Sequence, residues 1–163
     1  MGELKRLVIH CTATRPGREV SAADIRRWHT TPKSKGGRGW KQVGYSDMIH
    51  LNGGVENLVP YNEDQRVDPW EVTNGAAGWN GTSRHVVYVG GLGIDGFTAM
   101  DTRTAAQKKA MERYVKSFIR QHPKAEVIGH RDLPGVNKAC PSFDVKRWLR
   151  EIGLRRGRSI ADD

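Results

Sequence analysis

The 163-residue chain has only two cysteines, Cys11 and Cys140, and they lie far apart. Two distant thiols make no disulfide framework, and a chain of this size can bury a core without one. No apolar run approaches the roughly 18 residues that a membrane-spanning helix needs, so membrane insertion is not expected. A secretory signal is also missing, because the apolar run Leu7–Ile9 is too short. Arg6 stands where a myristoylation pattern after Gly2 requires Ser or Thr. The chain is therefore expected to be made in a cytoplasm and to meet anything outside it only after another agent opens the way. Acidic residues are outnumbered 18 to 27 by Lys and Arg, giving a net charge of +9. That excess favours polyanions, whether nucleic acid, anionic lipid or anionic wall polymer. No nucleic-acid motif is present and aromatics do not interleave with basic residues, so direct nucleic-acid binding is not expected. No internal repeat is evident.

What is present reads as one α/β domain over residues 1–154, a central mixed β-sheet flanked by helices, followed by a basic, flexible tail over 155–163. Leu4–Cys11 is short, apolar and β-branched, which predicts a buried strand. Ser21, with Asp24 three residues on, predicts a capped helix that turns Ile25, Trp28 and His29 inward and ends at Pro32. Lys33–Lys41 reads as a basic, Gly-rich loop carrying Trp40, either a solvated connector or a segment that touches substrate. Val43–Leu51 predicts a second strand with Tyr45, Asp47 and Ile49 on one face. Asn52-Gly53-Gly54 turns it back through Val55–Pro60. Residues 61–80 read as irregular, Arg84–Val89 as a strand closed by Gly90-Gly91, and Leu92–Asp101 as a loop or lid. Thr104 and Gln107 predict a capping box for the longest helix, whose stripe of Ala110, Met111, Tyr114, Val115, Phe118 and Ile119 is core. Ala125–Gly129 is a further strand, and Asp144 caps a last helix with Val145, Trp148, Leu149 and Ile152 inward.

The chemistry concentrates between Gly129 and Asp144, where a His, a Lys and a Cys follow an apolar strand across a Pro/Gly loop. Of six histidines, His10 and His130 stand out because each ends such a strand, where side chains emerge at a sheet edge. Cys140 follows His130 by ten residues, a spacing that matches no zinc finger. Imidazole and thiolate are donors that zinc prefers. Successive strand residues face opposite ways, so if His10 is a ligand, Cys11 packs behind it as a small hydrophobe.

These pieces, taken in order, resemble the zinc-dependent N-acetylmuramoyl-L-alanine amidases of the peptidoglycan-recognition-protein superfamily, and among them the T-odd phage lysozyme branch. The matching segments are Ile9-His10-Cys11-Thr12-Ala13-Thr14, Ile25-Arg26-Arg27-Trp28-His29, Val43-Gly44-Tyr45, Val89-Gly90-Gly91, Gly129-His130-Arg131-Asp132 and Lys138-Ala139-Cys140-Pro141-Ser142-Phe143-Asp144. The resemblance implies one zinc per chain, bound by His10, His130 and Cys140, with catalytic roles for Tyr45 and Lys138. It implies hydrolysis of the amide between N-acetylmuramic acid and L-alanine in bacterial peptidoglycan, in a phage endolysin. The chain is separately expected to be a monomer. A non-catalytic peptidoglycan-binding module and an inhibitor of a phage RNA polymerase are the alternatives it carries. Three protein ligands leave a fourth position open, the catalytic rather than the structural arrangement. If Lys138–Cys140 is extended, both side chains leave on one face, and the ammonium lies near the metal and the thiolate. The chain departs from the phage pattern at Gly75 and Ser46, where those relatives often carry histidine.

Overall fold

A computed structural model describes residues 2–155 and 158–159. The first apolar run forms β1 (Arg6–Cys11), with all six residues buried. Ser21 caps α1 (Ala22–Thr30) by accepting from the Asp24 amide, while the Asp24 carboxylate accepts from the Ser21 amide. The chain continues through β2 (Asp47–Ile49), β3 (Val55–Asn57) and β4 (Ser83–Tyr88). The Thr104/Gln107 box starts α2 (Ala105–Gln121), followed by β5 (Glu126–Gly129) and the Asp144-capped α3 (Val145–Glu151).

The sheet is five-stranded in the order β3-β2-β4-β1-β5. β1 runs parallel to both β4 and β5, β2 runs parallel to β4, and β3 alone is antiparallel. Strand alternation sorts β1 between two layers. Leu7, Ile9 and Cys11 join Val86, Tyr88 and Val127 in a core closed by Met111, Val115 and Phe118 of α2 and by Val145, Trp148 and Leu149 of α3. Each such aliphatic or aromatic side chain contributes about 1.5–3 kcal/mol when removed from water. Val8 and His10 face the other way. On that side Ile25 of α1 packs with Val43, Met48 and Val87, and Ala76, Ile128 and Leu133 gather around Val8.

Two expectations need correction. The strand foreseen over Val43–Leu51 is only three residues long, because the chain bends at Gly44 and Ser46 and the Gly44 amide donates to His29 instead of to a ladder. The bend also breaks the alternation. Ile49 joins the α2 core and Asp47 bonds Tyr114 of α2, whereas Tyr45 packs with Met48 on the opposite face. Asp47 is buried and accepts from Tyr61 Oη (2.6 Å), Tyr114 Oη (2.5 Å) and Asn57 Nδ2 (2.9 Å), which pins β2 to α2.

Of the expected tail over 155–163, residues 156, 157 and 160–163 lie outside the described residues. Within them Leu154–Arg155 (β6) pairs antiparallel with Arg158–Ser159 (β7). Among the described residues no helix is long and apolar enough to cross a membrane.

Candidate metal centre

The carboxyl ends of parallel strands are where open α/β sheets present ligand-binding groups. β1 delivers His10 there, and β5 runs directly into a single helical turn, His130–Asp132, whose start is fixed by the Asp132 carboxylate accepting from the Gly129 amide. The segment carrying Cys140 folds back across both ends. The Arg131 amide donates to the Cys140 carbonyl at 2.8 Å, the Cys11 amide donates to Cys140 Sγ at 3.3 Å, and Tyr88 Oη donates to the Pro141 carbonyl at 2.6 Å. One donor atom each from His10, His130 and Cys140 falls within 4.8 Å of the other two. His10 Nδ1 lies 3.8 Å from Cys140 Sγ. Ligand atoms around a tetrahedral zinc are separated by about 3.3–3.8 Å, so the cluster needs little movement to close on one.

The electrostatics suit metal binding. Burial, followed by the neighbouring His85, His130 and Lys138, holds His10 well below the ordinary imidazole range. Burial and then Lys138 lower His130 as well. Both rings are therefore neutral at pH 7 and keep a lone pair, so no proton must leave before they ligate. The hydrogen bond with the Cys11 thiol and then burial push the Cys140 thiol up, against the pull of the Cys11 amide and the Lys138 ammonium. A cation at the cluster would complete the arrangement by stabilising the thiolate.

Tyr45 stands beside this cluster, its ring 5.1 Å from that of His10. Burial raises its hydroxyl above the usual phenol range, so Tyr45 is a proton-bearing donor at neutral pH. Lys138 is exposed, in the same irregular segment as Cys140, and its charge reaches His10, His130 and Cys140. The structure thus brings His10, His130, Cys140 and Tyr45 together, with Lys138 on the exposed side of the Cys140 segment.

Two more histidines belong to the neighbourhood that the sequence left among ordinary core residues. His29 of α1 accepts from the Gly44 amide through Nδ1 (2.9 Å) and lies between Trp40 and Tyr45, tilted to the first and edge-on to the second, with ring centroids at 4.8 and 5.2 Å. His85 of β4 is fully buried and bonds His10 directly, Nδ1 to Nε2, at 2.8 Å. Burial pushes His85 down to about 3, so this ring is neutral too. In the parallel register His10 stands opposite Val87, and His85 is two residues earlier on the same face. That diagonal relation is invisible until the strand pairing is known. Ser46 is buried, its amide bonded to the His85 carbonyl and its own carbonyl accepting from the Leu58 amide. Gly75 has no room for a side chain, since a Cβ there would lie 2.6 Å from His85 Cγ and Nδ1 and 2.7 Å from the Gly44 carbonyl.

Two buried imidazoles and a half-buried thiol, set at the carboxyl edge of a largely parallel sheet, define a candidate zinc hydrolase centre. The family described as N-acetylmuramoyl-L-alanine amidase matches residues 1–143, and the chain belongs to that family. It is 34% identical over 152 residues to the endolysin of Klebsiella phage KP32, spanning 93% of this chain and 89% of that protein. It is 33% identical over 149 residues to the endolysin of Escherichia phage T7, spanning 91% and 87%. The fold is shared with the amidase LysC from Clostridium intestinale (TM-score 0.70, 16% identity, 94% of this chain and 87% of that one). It is shared as well with the Drosophila recognition protein PGRP-LB (TM-score 0.63, 17% identity, 98% and 85%).

Proposed function

We propose that this amidase is zinc-dependent and acts as a phage endolysin on bacterial peptidoglycan, cleaving the amide between N-acetylmuramic acid and L-alanine. The observation that carries the metal reading is the convergence of His10 Nδ1, a His130 ring nitrogen and Cys140 Sγ, two neutral imidazoles and a thiol that already accepts a backbone hydrogen bond. These three side chains would hold the ion. Zinc bound there supplies a Lewis acid that polarises the amide carbonyl and makes water acidic near neutral pH.

The chain's own groups do the rest. Lys138 places a fixed positive charge where negative charge develops on the carbonyl oxygen, a preorganised role worth about a few kcal/mol. Tyr45, held as a neutral phenol, donates a hydrogen bond to the same oxygen or orients the substrate carbonyl before attack. The net charge of +9 favours adhesion to an anionic wall. The endolysin relatives support the setting, a protein that meets the wall once the membrane has been breached. The polymerase partner implied by the resemblance, and the monomeric state expected separately, find no support among these relatives' descriptions.

The test is zinc content measured together with release of stem peptide from purified peptidoglycan, before and after chelation. One zinc per chain, with hydrolysis that stops on chelation and returns with zinc, is the expected result. Full hydrolysis by metal-free protein would overturn the zinc reading. A full zinc complement without hydrolysis would overturn the enzymatic assignment of this site in favour of binding alone. Cys140→Ser is expected to lose zinc retention, because a neutral hydroxyl replaces the thiolate donor.

A further inference from the structure

His85 is a buried imidazole that the reaction described above does not use, and its hydrogen bonds determine which nitrogen of His10 carries the proton. The deduction starts at the far end. Asn80 Oδ1 lies 2.9 Å from the Ala76 amide, which can only donate, so that atom is the oxygen. The same oxygen lies 2.9 Å from His85 Nε2, so His85 carries its proton on Nε2. A neutral His85 then has a bare Nδ1, and at 2.8 Å this nitrogen must accept from His10 Nε2. His10 is left with its lone pair on Nδ1, the atom directed at Cys140 Sγ. With His85 neutral in its fully buried setting, each link follows from the one before it, back to a backbone amide.

We propose that His85, supported by Asn80, is a positioning residue for the metal centre. It fixes the tautomer and ring plane of His10 so that Nδ1 is presented to the ion. This rests on His10 being a zinc ligand. The glycine at position 75 belongs to the same device, since any Cβ there would occupy the volume of the His85 ring. A ligating imidazole whose second nitrogen lacks a partner loses about 10- to 100-fold in metal affinity.

The experiment measures zinc affinity of the full chain by competition with a chelator, alongside the melting temperature of the metal-free protein. His85→Leu removes the acceptor, and zinc binding is expected to weaken by about 10- to 100-fold. His85→Asn offers Oδ1 near the position of Nδ1, and is expected to stay within about threefold of the parent protein. The nitrogen-15 imidazole spectrum of the unaltered chain should show His10 protonated on Nε2 and bare on Nδ1, whether or not the leucine variant folds. Parental zinc affinity in a folded His85→Leu, equal losses in His85→Leu and His85→Asn, or a His10 protonated on Nδ1 would each overturn the role of His85. If zinc binding is lost in Cys140→Ser yet unaffected in His85→Leu, only this inference fails. An unaltered chain that takes up no zinc overturns the ligand assignment and this inference with it.

Discussion

Replacing Tyr88 by Phe removes one oxygen atom and leaves the ring in place. Tyr88 closes β4, is fully buried, and packs its ring 6.0 Å from that of Phe143. Burial raises its hydroxyl above the ordinary phenol range, so it stays protonated and donates to the Pro141 carbonyl at 2.6 Å. In Tyr88→Phe that buried carbonyl loses its donor. An unmet buried polar group costs about 1–3 kcal/mol, more than the net worth of the bond itself. A loss near 2 kcal/mol lowers the melting midpoint of a chain this size by roughly 4–8 °C. The residue affected is adjacent to Cys140, so part of the loss should appear locally, as a looser ligand loop. If all of it appeared there, zinc affinity would fall by about 30-fold. Urea midpoints of the metal-free protein and zinc titrations of the same samples divide the cost between the two. A variant unchanged in both measurements would refute the claim that this bond secures the Cys140 segment.

Lys138→Ala should lower turnover on peptidoglycan by about 10²-fold or more while zinc retention is unaffected, the signature of lost oxyanion stabilisation. Turnover assays with metal analysis of the same preparation check it, and near-normal turnover would remove Lys138 from the mechanism. Tyr114→Phe takes one of three donors from the buried Asp47 carboxylate and should cost about 1.5–3 kcal/mol in a urea titration. His50 lies 2.9 Å from both Glu19 and Glu56. Burial opposes its charge, but the hydrogen bonds to the two carboxylates outweigh it, so its folded pKa lies above the ordinary 6.5. The stabilisation is thus complete below the unfolded value and lost as pH rises through the folded one. Urea midpoints of the parent and His50→Gln should differ most on the acid side of neutrality and converge on the alkaline side; a constant gap would contradict this.

The helices were legible because their start signals are local. Ser21 with Asp24 and Thr104 with Gln107 form the boxes their spacing announces. β1 was legible because burial on both faces leaves a short apolar run that carries His10 to its carboxyl end. His130 and Cys140 were legible for the same reason, as strand-end and loop residues next to apolar stretches. Tyr45 was placed on the wrong face because alternation counts only inside a ladder, and the ladder begins at Asp47. His85 was missed for a different reason. Its significance is set by the register of β4 on β1 and by a hydrogen bond to Asn80, neither of which any local pattern records.

The central place of β1 has a consequence for synthesis. Both of its ladder partners are translated after it, β4 some 70 residues later and β5 only near residue 126. Until then the strand that carries His10 has no neighbours, and the Cys140 segment that completes the donor cluster emerges later still. A polypeptide that stalls or ends before Cys140 lacks the third donor, so the centre can assemble only after that residue has been made.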